Sequence, residues 1–467
     1  MLKRLLKTSS LYALGDLITR GMNFFLLPIY TAFLTPEDFG IIGIANVLAM
    51  MFPIVFTLGI RGAALKFYYD YQDEQERRTF YGTIWIFSIV LPTLGYILIE
   101  FAGRSFHGSL FEQVPFDPYL HLTLLIGFLT AVFVTIPREL FRAAERPTAY
   151  SSMNLGVFLL STAFTFWLVV GLKRGAEGAL LAKVLGNVVV AVPLGVFLVR
   201  YVRIRFDTKM FRRALAYSIP MIPHMLSLWL LASVGRLILE RHVPLADVGR
   251  FNFAFTLSSV LFLLASAMNN ALIPVFGNLV RGDELREKNA ARASTYLVAM
   301  TTGLALPMYL FMPEALHLLT PPSYHGAAGP FPLLLLGFLF NALYTIPANV
   351  LTLGAGNSRI IGVSTITAAV LNVGLNLLLV PKFGVMGAAL THAITYAVFF
   401  AICYYFAQRI LPLHYEYFNI GVFLLIAAGG IPVNLALHYT APLIAIGVKV
   451  VYLTAALLIV LRYRKRR

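Results

Sequence analysis

The chain has 467 residues, of which 59% are hydrophobic and 12% charged, and its mean hydropathy is +0.79. Soluble domains carry about 25% charged residues, so this composition excludes a soluble globular protein and predicts a membrane protein. The net charge of +16 would suggest nucleic-acid binding in a soluble protein, but here Lys and Arg lie mainly in short loops between apolar runs. We therefore expect no nucleic-acid partner.

Apolar runs of about 20 residues recur along the whole chain, and each can cross a hydrocarbon core about 30 Å thick. The runs lack the alternation of a transmembrane β-barrel, so we expect helices. The predicted fold class is all-α integral membrane with about fourteen transmembrane helices. In chain order the spans lie near 9–33, 40–65, 80–102, 119–137, 150–171, 177–199, 215–239, 248–276, 293–313, 328–352, 360–380, 385–408, 418–437 and 442–461.

The distribution of positive residues predicts the orientation. With the N-terminus inside, most loop Lys and Arg residues face the cytoplasm, and six of them crowd the loop from Arg200 to Arg213. Only five fall outside: Arg104, Lys173, Arg174, Arg241 and Lys382. The positive-inside rule thus predicts a multi-pass protein of the cytoplasmic (inner) membrane with both termini in the cytoplasm.

The sequence also repeats itself at a shift of 209 residues. GAEGALLAK at 175–183 is similar to GVMGAALTH at 384–392, and Phe39-Gly40 aligns with Val248-Gly249, each after an acidic turn. Short Gly/Ala matches also arise by chance in membrane helices. A duplication predicts two six-helix lobes related by a pseudo-twofold axis along the membrane normal. The predicted domains are an N-lobe at 1–199, a basic cytoplasmic linker at 200–214, a C-lobe at 215–408, and two further helices with a basic tail at 409–467.

Several cations fall inside predicted spans, where a charge costs about 2.5–3.5 kcal/mol or more and normally faces a polar cavity. The strongest candidates are Arg20, Arg61, Lys183 and Arg236. Only two acids lie near them: Asp16 precedes Arg20 by four residues, and Glu240 follows Arg236 by four. Each pair either neutralises itself for insertion or lines a cavity between the lobes. The positive surplus favours an anion, and arginine matches phosphate oxygens with a planar fork.

Other polar residues are weaker candidates for a cavity or groove: His224, His392, Asn270 and Lys449. Lys183 aligns with His392 in the repeat, although Lys183 can also snorkel, as we expect for Lys66. Intramembrane Asn residues more often bridge helices than line a lumen. The sequence shows no metal-ligand cluster, phosphate-binding loop or nucleophile arrangement. We therefore expect no cofactor, no metal site and no enzyme activity.

Two segments carry a family resemblance. The opening SSLYALGDLITRGMNFFLLPIYTAFLTPEDFGIIGIANVL and the RAAERPTAYSSMN turn before the fifth span resemble the multidrug/oligosaccharidyl-lipid/polysaccharide (MOP) exporter superfamily. Within it, the chain is most similar to the Wzx-type polysaccharide (O-antigen) flippases. The G-x-x-G-A starts of the sixth and twelfth spans agree with the same group.

The resemblance implies transport of undecaprenyl-diphosphate-linked oligosaccharide from the inner to the outer leaflet by alternating access, as in lipopolysaccharide and other polysaccharide biosynthesis. It implies diphosphate contacts by Arg20, Arg61 and Arg236, a groove for the polyprenyl tail, and contact with membrane lipids. A polysaccharide polymerase and glycosyltransferases are the expected functional partners. Coupling to a Na⁺ or H⁺ gradient through Asp16 or Glu240 is a further hypothesis.

Three alternatives stay open at this point. A lipid II (peptidoglycan precursor) flippase also has fourteen helices and is the main competitor. A cation-coupled multidrug antiporter tends to have twelve spans and an acidic cavity, and the cationic surplus disfavours it. A membrane glycosyltransferase or polymerase needs catalytic carboxylates or a long outer loop, whereas the longest predicted outer loops (103–118 and 314–327) are short.

Overall fold

The computed structural model describes residues 24, 26–277, 279, 283–437 and 442–465 of the chain. Every regular element in these residues is helical, which confirms the predicted all-α membrane fold. Numbered in chain order, the helices are α1 Leu27–Phe33, α2 Pro36–Phe56, α3 Ile60–Asp70, α4 Glu74–Leu110, α5 Phe116–Ala143, α6 Pro147–Gly171, α7 Gly175–Tyr201, α8 Thr208–Glu240, α9 Leu245–Gly277, α10 Glu284–Leu310, α11 Met312–Leu319, α12 Phe331–Gly354, α13 Ser358–Ile410, α14 Tyr417–Ala436 and α15 Pro442–Lys465.

Ten of the described helices are long and apolar enough to cross a bilayer, and α10 with α11 makes an eleventh if this pair, bent by 58°, counts as one span. Helix α13 is 53 residues long and covers two predicted spans, with a kink at Gly384 between them. Most of the predicted first span lies outside the described residues. The total of fourteen spans therefore stays a prediction.

The chain divides into two compact units, Met1–Asn252 and Phe253–Arg467. The first unit includes α8, whose Trp229 donates its indole N–H to the carbonyl of Val47 in α2 at 2.9 Å. The second unit contains most of α9 and all helices that follow. The lobe boundaries expected from the repeat stay a prediction.

Helix α2 is anchored at its N-terminus. Thr35 and Asp38 form a capping box, in which the Thr35 hydroxyl accepts from the Asp38 N–H and Asp38 accepts from the Thr35 N–H. The second carboxylate oxygen of Asp38 accepts from the N–H of Ala176 at 2.8 Å, at the start of α7. One acid of the TPED turn thus fixes the start of both α2 and α7.

The start of α9 crosses α2 at close range. A Cβ added to Gly40 would lie 2.4 Å from the carbonyl oxygen of Leu245, and one added to Gly249 would lie 1.7 Å from the carbonyl oxygen of Pro36. Only glycine allows this approach. The two glycines that the sequence repeat pairs therefore lie at the same helix crossing.

The prediction of one continuous second span at 40–65 is wrong, because two separate helices cover this stretch. Helix α2 ends at Phe56, and α3 begins at Ile60 after a break in which Leu58 and Gly59 have φ values of 48° and 66°. The residues at the break, 56–60, are mostly apolar, so hydropathy alone shows no break here. As a consequence Arg61 lies in the first turn of a separate helix, where the helix dipole favours negative charge.

Buried amides join helices in the second unit. Asn349 donates to Asn269 at 2.8 Å, and Asn372 donates to Thr395 at 3.2 Å across the kink of α13. The kink itself depends on Gly384, whose φ of 52° and ψ of −130° suit only glycine. These buried amides bridge helices, which is the alternative role considered for intramembrane Asn.

Candidate functional site

Lys183 lies in α7 and reaches α2. Its ammonium group donates to the side-chain oxygen of Asn46 at 2.5 Å, and the side chain is partly buried. No acid among the described residues forms an ion pair with Lys183. The Lys183 ammonium is therefore held by a neutral amide of a second helix.

Arg236 lies in α8 and is held by neutral groups on two sides. Its guanidinium donates to Asn252 at 3.0 Å and to the carbonyl of Ala232 at 2.7 Å. Asn252 in turn donates to the carbonyl of Phe39 at 3.3 Å and packs directly on Gly43 of α2. A side chain on Gly43 would displace the amide that positions Arg236.

Lys183 and Arg236 therefore converge on one face of α2. Phe39, Gly43 and Asn46 have the i, i+4, i+7 spacing that puts residues on one side of a helix. Gly43 and Asn46 are about 4.5 Å apart along the axis, at 1.5 Å per residue. Two of the sequence-predicted cations thus lie at neighbouring levels beside the same helix.

Arg61 lies at a different level, fifteen residues beyond Asn46 in sequence. Its guanidinium Nε donates to a carboxylate oxygen of Glu139 in α5, and its side chain is 48% exposed whereas that of Glu139 is 2% exposed. No described residue hydrogen-bonds its Nη1 or Nη2. Arg61 is therefore fixed through one edge of the guanidinium and presents the other edge outward.

The sequence shows no acidic residue within one helical turn of Arg61, whereas its partner Glu139 is 78 residues away. The other carboxylate oxygen of Glu139 lies 3.9 Å from Arg142. The available signal was Glu139 itself, a lone acid between Arg138 and Arg142 at the end of an apolar span. Asn46 and Asn252, which hold Lys183 and Arg236, were missed in the same way.

Glu240 does not pair with Arg236, so of the two alternatives for these residues the self-neutralising pair does not form. The Glu240 side chain is fully buried and accepts hydrogen bonds from three consecutive backbone N–H groups, those of residues 112, 113 and 114, at 3.0, 2.7 and 3.0 Å. The turn between α4 and α5 supplies these donors, and a buried N–H needs an acceptor. Glu240 therefore holds this turn in place. These hydrogen bonds explain why the carboxylate is buried, and no cavity is needed to explain it.

Lys449 has a partner that the sequence did not suggest. Its ammonium donates to Glu314 of α11 at 2.6 Å, the Lys449 side chain is 4% exposed, and the Phe311 ring lies 5.9 Å away. The ion pair ties α15 to the bent segment within the second unit. The sequence suggested a cavity or groove position for Lys449, whereas in the structure its ammonium binds Glu314.

The remaining candidates are spread out. His392 is buried in the second unit among the rings of Phe255, Phe338 and Tyr396, at centroid distances of 5.3, 4.8 and 4.8 Å. His224 follows a 3-10 turn at Ile219–Met221. Asn270 is exposed near the end of α9. Asp16 and Arg20 lie outside the described residues.

Comparisons with known proteins agree with this architecture. Residues 5–280, more than half of the chain, match the polysaccharide biosynthesis protein family. The chain is 21% identical over 355 residues to Lsg locus putative protein 1 of Haemophilus influenzae, covering 74% of this chain and 84% of the relative.

Two solved structures share the fold. The lipid II flippase MurJ in an inward closed conformation has a TM-score of 0.76 at 14% identity and covers 97% of this chain and 99% of its own. An inward-facing multidrug resistance MATE family transporter of the MOP superfamily has a TM-score of 0.64 at 17% identity, with coverages of 86% and 94%. At these identities the likeness shows the fold alone.

The described helices are those of a multi-pass membrane protein. Within that class, the chain belongs to the polysaccharide biosynthesis protein family.

Proposed function

We propose that this protein is a flippase that moves an undecaprenyl-diphosphate-linked oligosaccharide from the cytoplasmic to the outer leaflet by alternating access. The observation that supports it most is Lys183, a cation inside the membrane that is held by Asn46 rather than by an acid. A charge in such a place is costly, and residues of this kind mark substrate or ion pathways. A diphosphate is an anion that a polysaccharide biosynthesis protein handles at the membrane.

The levels of the cations suggest an order of contacts. In the predicted orientation Arg61 lies towards the cytoplasmic side and Lys183 towards the outside. Arg61 offers the free edge of its guanidinium, which matches two phosphate oxygens. We infer that the diphosphate meets Arg61 first, then passes to the level of Lys183 and Arg236, while the glycan and the lipid tail follow.

The test is surface-glycan display in a strain that depends on this protein. Lys183→Gln and Arg61→Ala should abolish display at normal protein level, and Arg20→Ala and Arg236→Ala should do the same. Lys66→Ala is the matched control, because Lys66 lies on the same helix as Arg61 and stacks on the ring of Tyr217 at 4.4 Å. Normal display in all four cavity variants would refute the cationic pathway.

A lipid II flippase remains the second candidate, because the likeness to MurJ covers nearly the whole of both chains. Both substrates share the polyprenyl diphosphate, so the cations do not distinguish them. Complementation does: rescue of a strain lacking its polysaccharide flippase favours the glycan, and rescue of a strain depleted of its lipid II flippase favours the cell-wall precursor.

A cation-coupled drug antiporter has less support. It needs an acid available to bind a cation, whereas the membrane acids Glu139, Glu240 and Glu314, in the part of the chain that the structure describes, are each engaged by a cation or by backbone N–H groups. We expect no change in resistance to cationic drugs when the protein is deleted or overproduced.

A further inference from the structure

A groove of about 560 Å³ lies on the surface of the first unit between α5 and α7. Its walls include Leu129 and Phe133 from α5 and Val188 and Val192 from α7, and all lining residues except Arg200 are apolar. Phe133 belongs to a π-helical turn, Thr130–Val134, where the regular spacing of α5 is interrupted.

The groove has the length of one membrane leaflet. From Val188 to Arg200, α7 rises by about 18 Å at 1.5 Å per residue, and half of a hydrocarbon core is about 15 Å deep. The α7 wall is open to its surroundings, since Val192 is 64% exposed and Val199 is 53% exposed. An extended acyl chain therefore matches the groove in both chemistry and length.

Arg200 stands at the end of this groove where the membrane ends. It lies in the last turn of α7, which stops at Tyr201. Its side chain is exposed and forms no hydrogen bond or ion pair with any described residue. A guanidinium at this position faces the headgroup layer and offers its fork to phosphate oxygens.

We propose that this groove is a binding site for an anionic phospholipid, with one acyl chain along α5 and α7 and the phosphate at Arg200. Charge complementarity selects the lipid class, because Arg200 is cationic and the remaining lining is apolar. The headgroup of a zwitterionic lipid carries a positive group as well as the phosphate, and this positive group would lie near the Arg200 guanidinium. The site goes beyond the proposed transport, since this lipid belongs to the surrounding leaflet and is not carried across.

Gly195 provides a way to fill the groove without disturbing the fold. A Cβ at this position would lie 3.6 Å from Cε1 of Phe133, an ordinary van der Waals distance. A larger side chain here projects into the space that the acyl chain would occupy. Val196, which is 47% exposed and also lines the groove, allows a second occlusion by tryptophan.

The experiment is native mass spectrometry of the delipidated full-length protein titrated with phosphatidylglycerol or with phosphatidylcholine of the same chains. Wild type should bind the first phosphatidylglycerol more tightly than phosphatidylcholine. Arg200→Gln should weaken phosphatidylglycerol binding about fivefold, as expected for one interfacial cation, and leave phosphatidylcholine binding unchanged. Gly195→Leu and Val196→Trp should weaken binding of both lipids.

Two matched controls make the result specific. Lys209→Gln removes a cation of the same basic loop outside the groove, and Gly374→Leu adds the same side chain where a Cβ meets no atom within 4 Å. Both should bind phosphatidylglycerol like wild type. The proposal is overturned if Lys209→Gln weakens binding as much as Arg200→Gln, or if both groove-filling variants bind like wild type. Surface-glycan display should be unchanged in Arg200→Gln. The lipid-binding proposal can therefore be tested separately from the proposed transport function.

Discussion

Glu139 is the residue on which the position of Arg61 depends, and Glu139→Gln tests this directly. Glutamine keeps the size of the side chain and one oxygen that can accept from the Arg61 Nε, but it removes the negative charge. A hydrogen bond that involves a charged group contributes about 1.5–3 kcal/mol, and glutamine leaves a bond in which only Arg61 is charged. Exposed ion pairs contribute about 0.2–1 kcal/mol; because the Arg61 side chain is 48% exposed, we expect the charge of Glu139 to contribute about 1 kcal/mol.

A loss of about 1 kcal/mol in the positioning of Arg61 corresponds to about a fivefold lower transport rate, if Arg61 contacts the translocating headgroup in the rate-limiting step. The assay is the initial rate of surface-glycan appearance, normalised to the amount of folded protein. Glu74→Gln is a suitable control, because Glu74 pairs with Arg77 and Arg78 in an exposed turn. It should transport like wild type.

The double variant separates positioning from a direct role. If Glu139 acts only through Arg61, Arg61→Ala combined with Glu139→Gln should transport no worse than Arg61→Ala alone. The double variant should also unfold at a higher temperature than Arg61→Ala, because Arg61→Ala leaves a buried carboxylate with only Arg142, 3.9 Å away. Wild-type transport by Glu139→Gln, or a double variant that is no more stable to heat than Arg61→Ala, would refute the reasoning.

The other predictions concern contacts that hold the helices. Glu240→Ala leaves three N–H groups without their acceptor, at about 1–3 kcal/mol each, so thermal unfolding in detergent should shift down sharply; an unchanged midpoint would contradict the capping role. Lys449→Met should destabilise by about 3–5 kcal/mol because Glu314 keeps an unpaired charge, and adding Glu314→Gln should restore most of it; no recovery would argue against the pair. Gly384→Ala should cost about 1–3 kcal/mol in unfolding free energy through backbone strain, whereas the same change at Gly362, where a Cβ meets no atom within 4 Å, should cost little.

The sequence predicted the helices better than it predicted their contacts. Span length follows from hydrophobicity, which is local, and the break between 380 and 385 is marked by Pro381 and Gly384. The break at Gly59 was missed because Thr57 and Leu58 are compatible with a continuing apolar helix. Local spacing therefore indicates most of the membrane segments, but not every interruption within them.

Of the candidate site, only the cations could be predicted from the sequence. Arg61, Lys183 and Arg236 were visible because any charge inside an apolar run is conspicuous. Their partners were not, because Arg61 meets Glu139 across 78 residues and Lys183 meets Asn46 across 137. Local spacing instead suggested that Glu240 pairs with Arg236, and the turn at 112–114 competes for that carboxylate. Long-range pairing depends on helix packing, which a single sequence does not reveal.

The central claim is that intramembrane cations carry a diphosphate headgroup across. The most direct test is a flipping assay in proteoliposomes with a fluorescent polyprenyl-diphosphate-linked sugar, comparing wild type with Lys183→Gln and with the Lys66→Ala control. The account predicts that wild type and Lys66→Ala translocate the lipid and that Lys183→Gln does not, although all three are folded. Equal translocation by Lys183→Gln and wild type would contradict it.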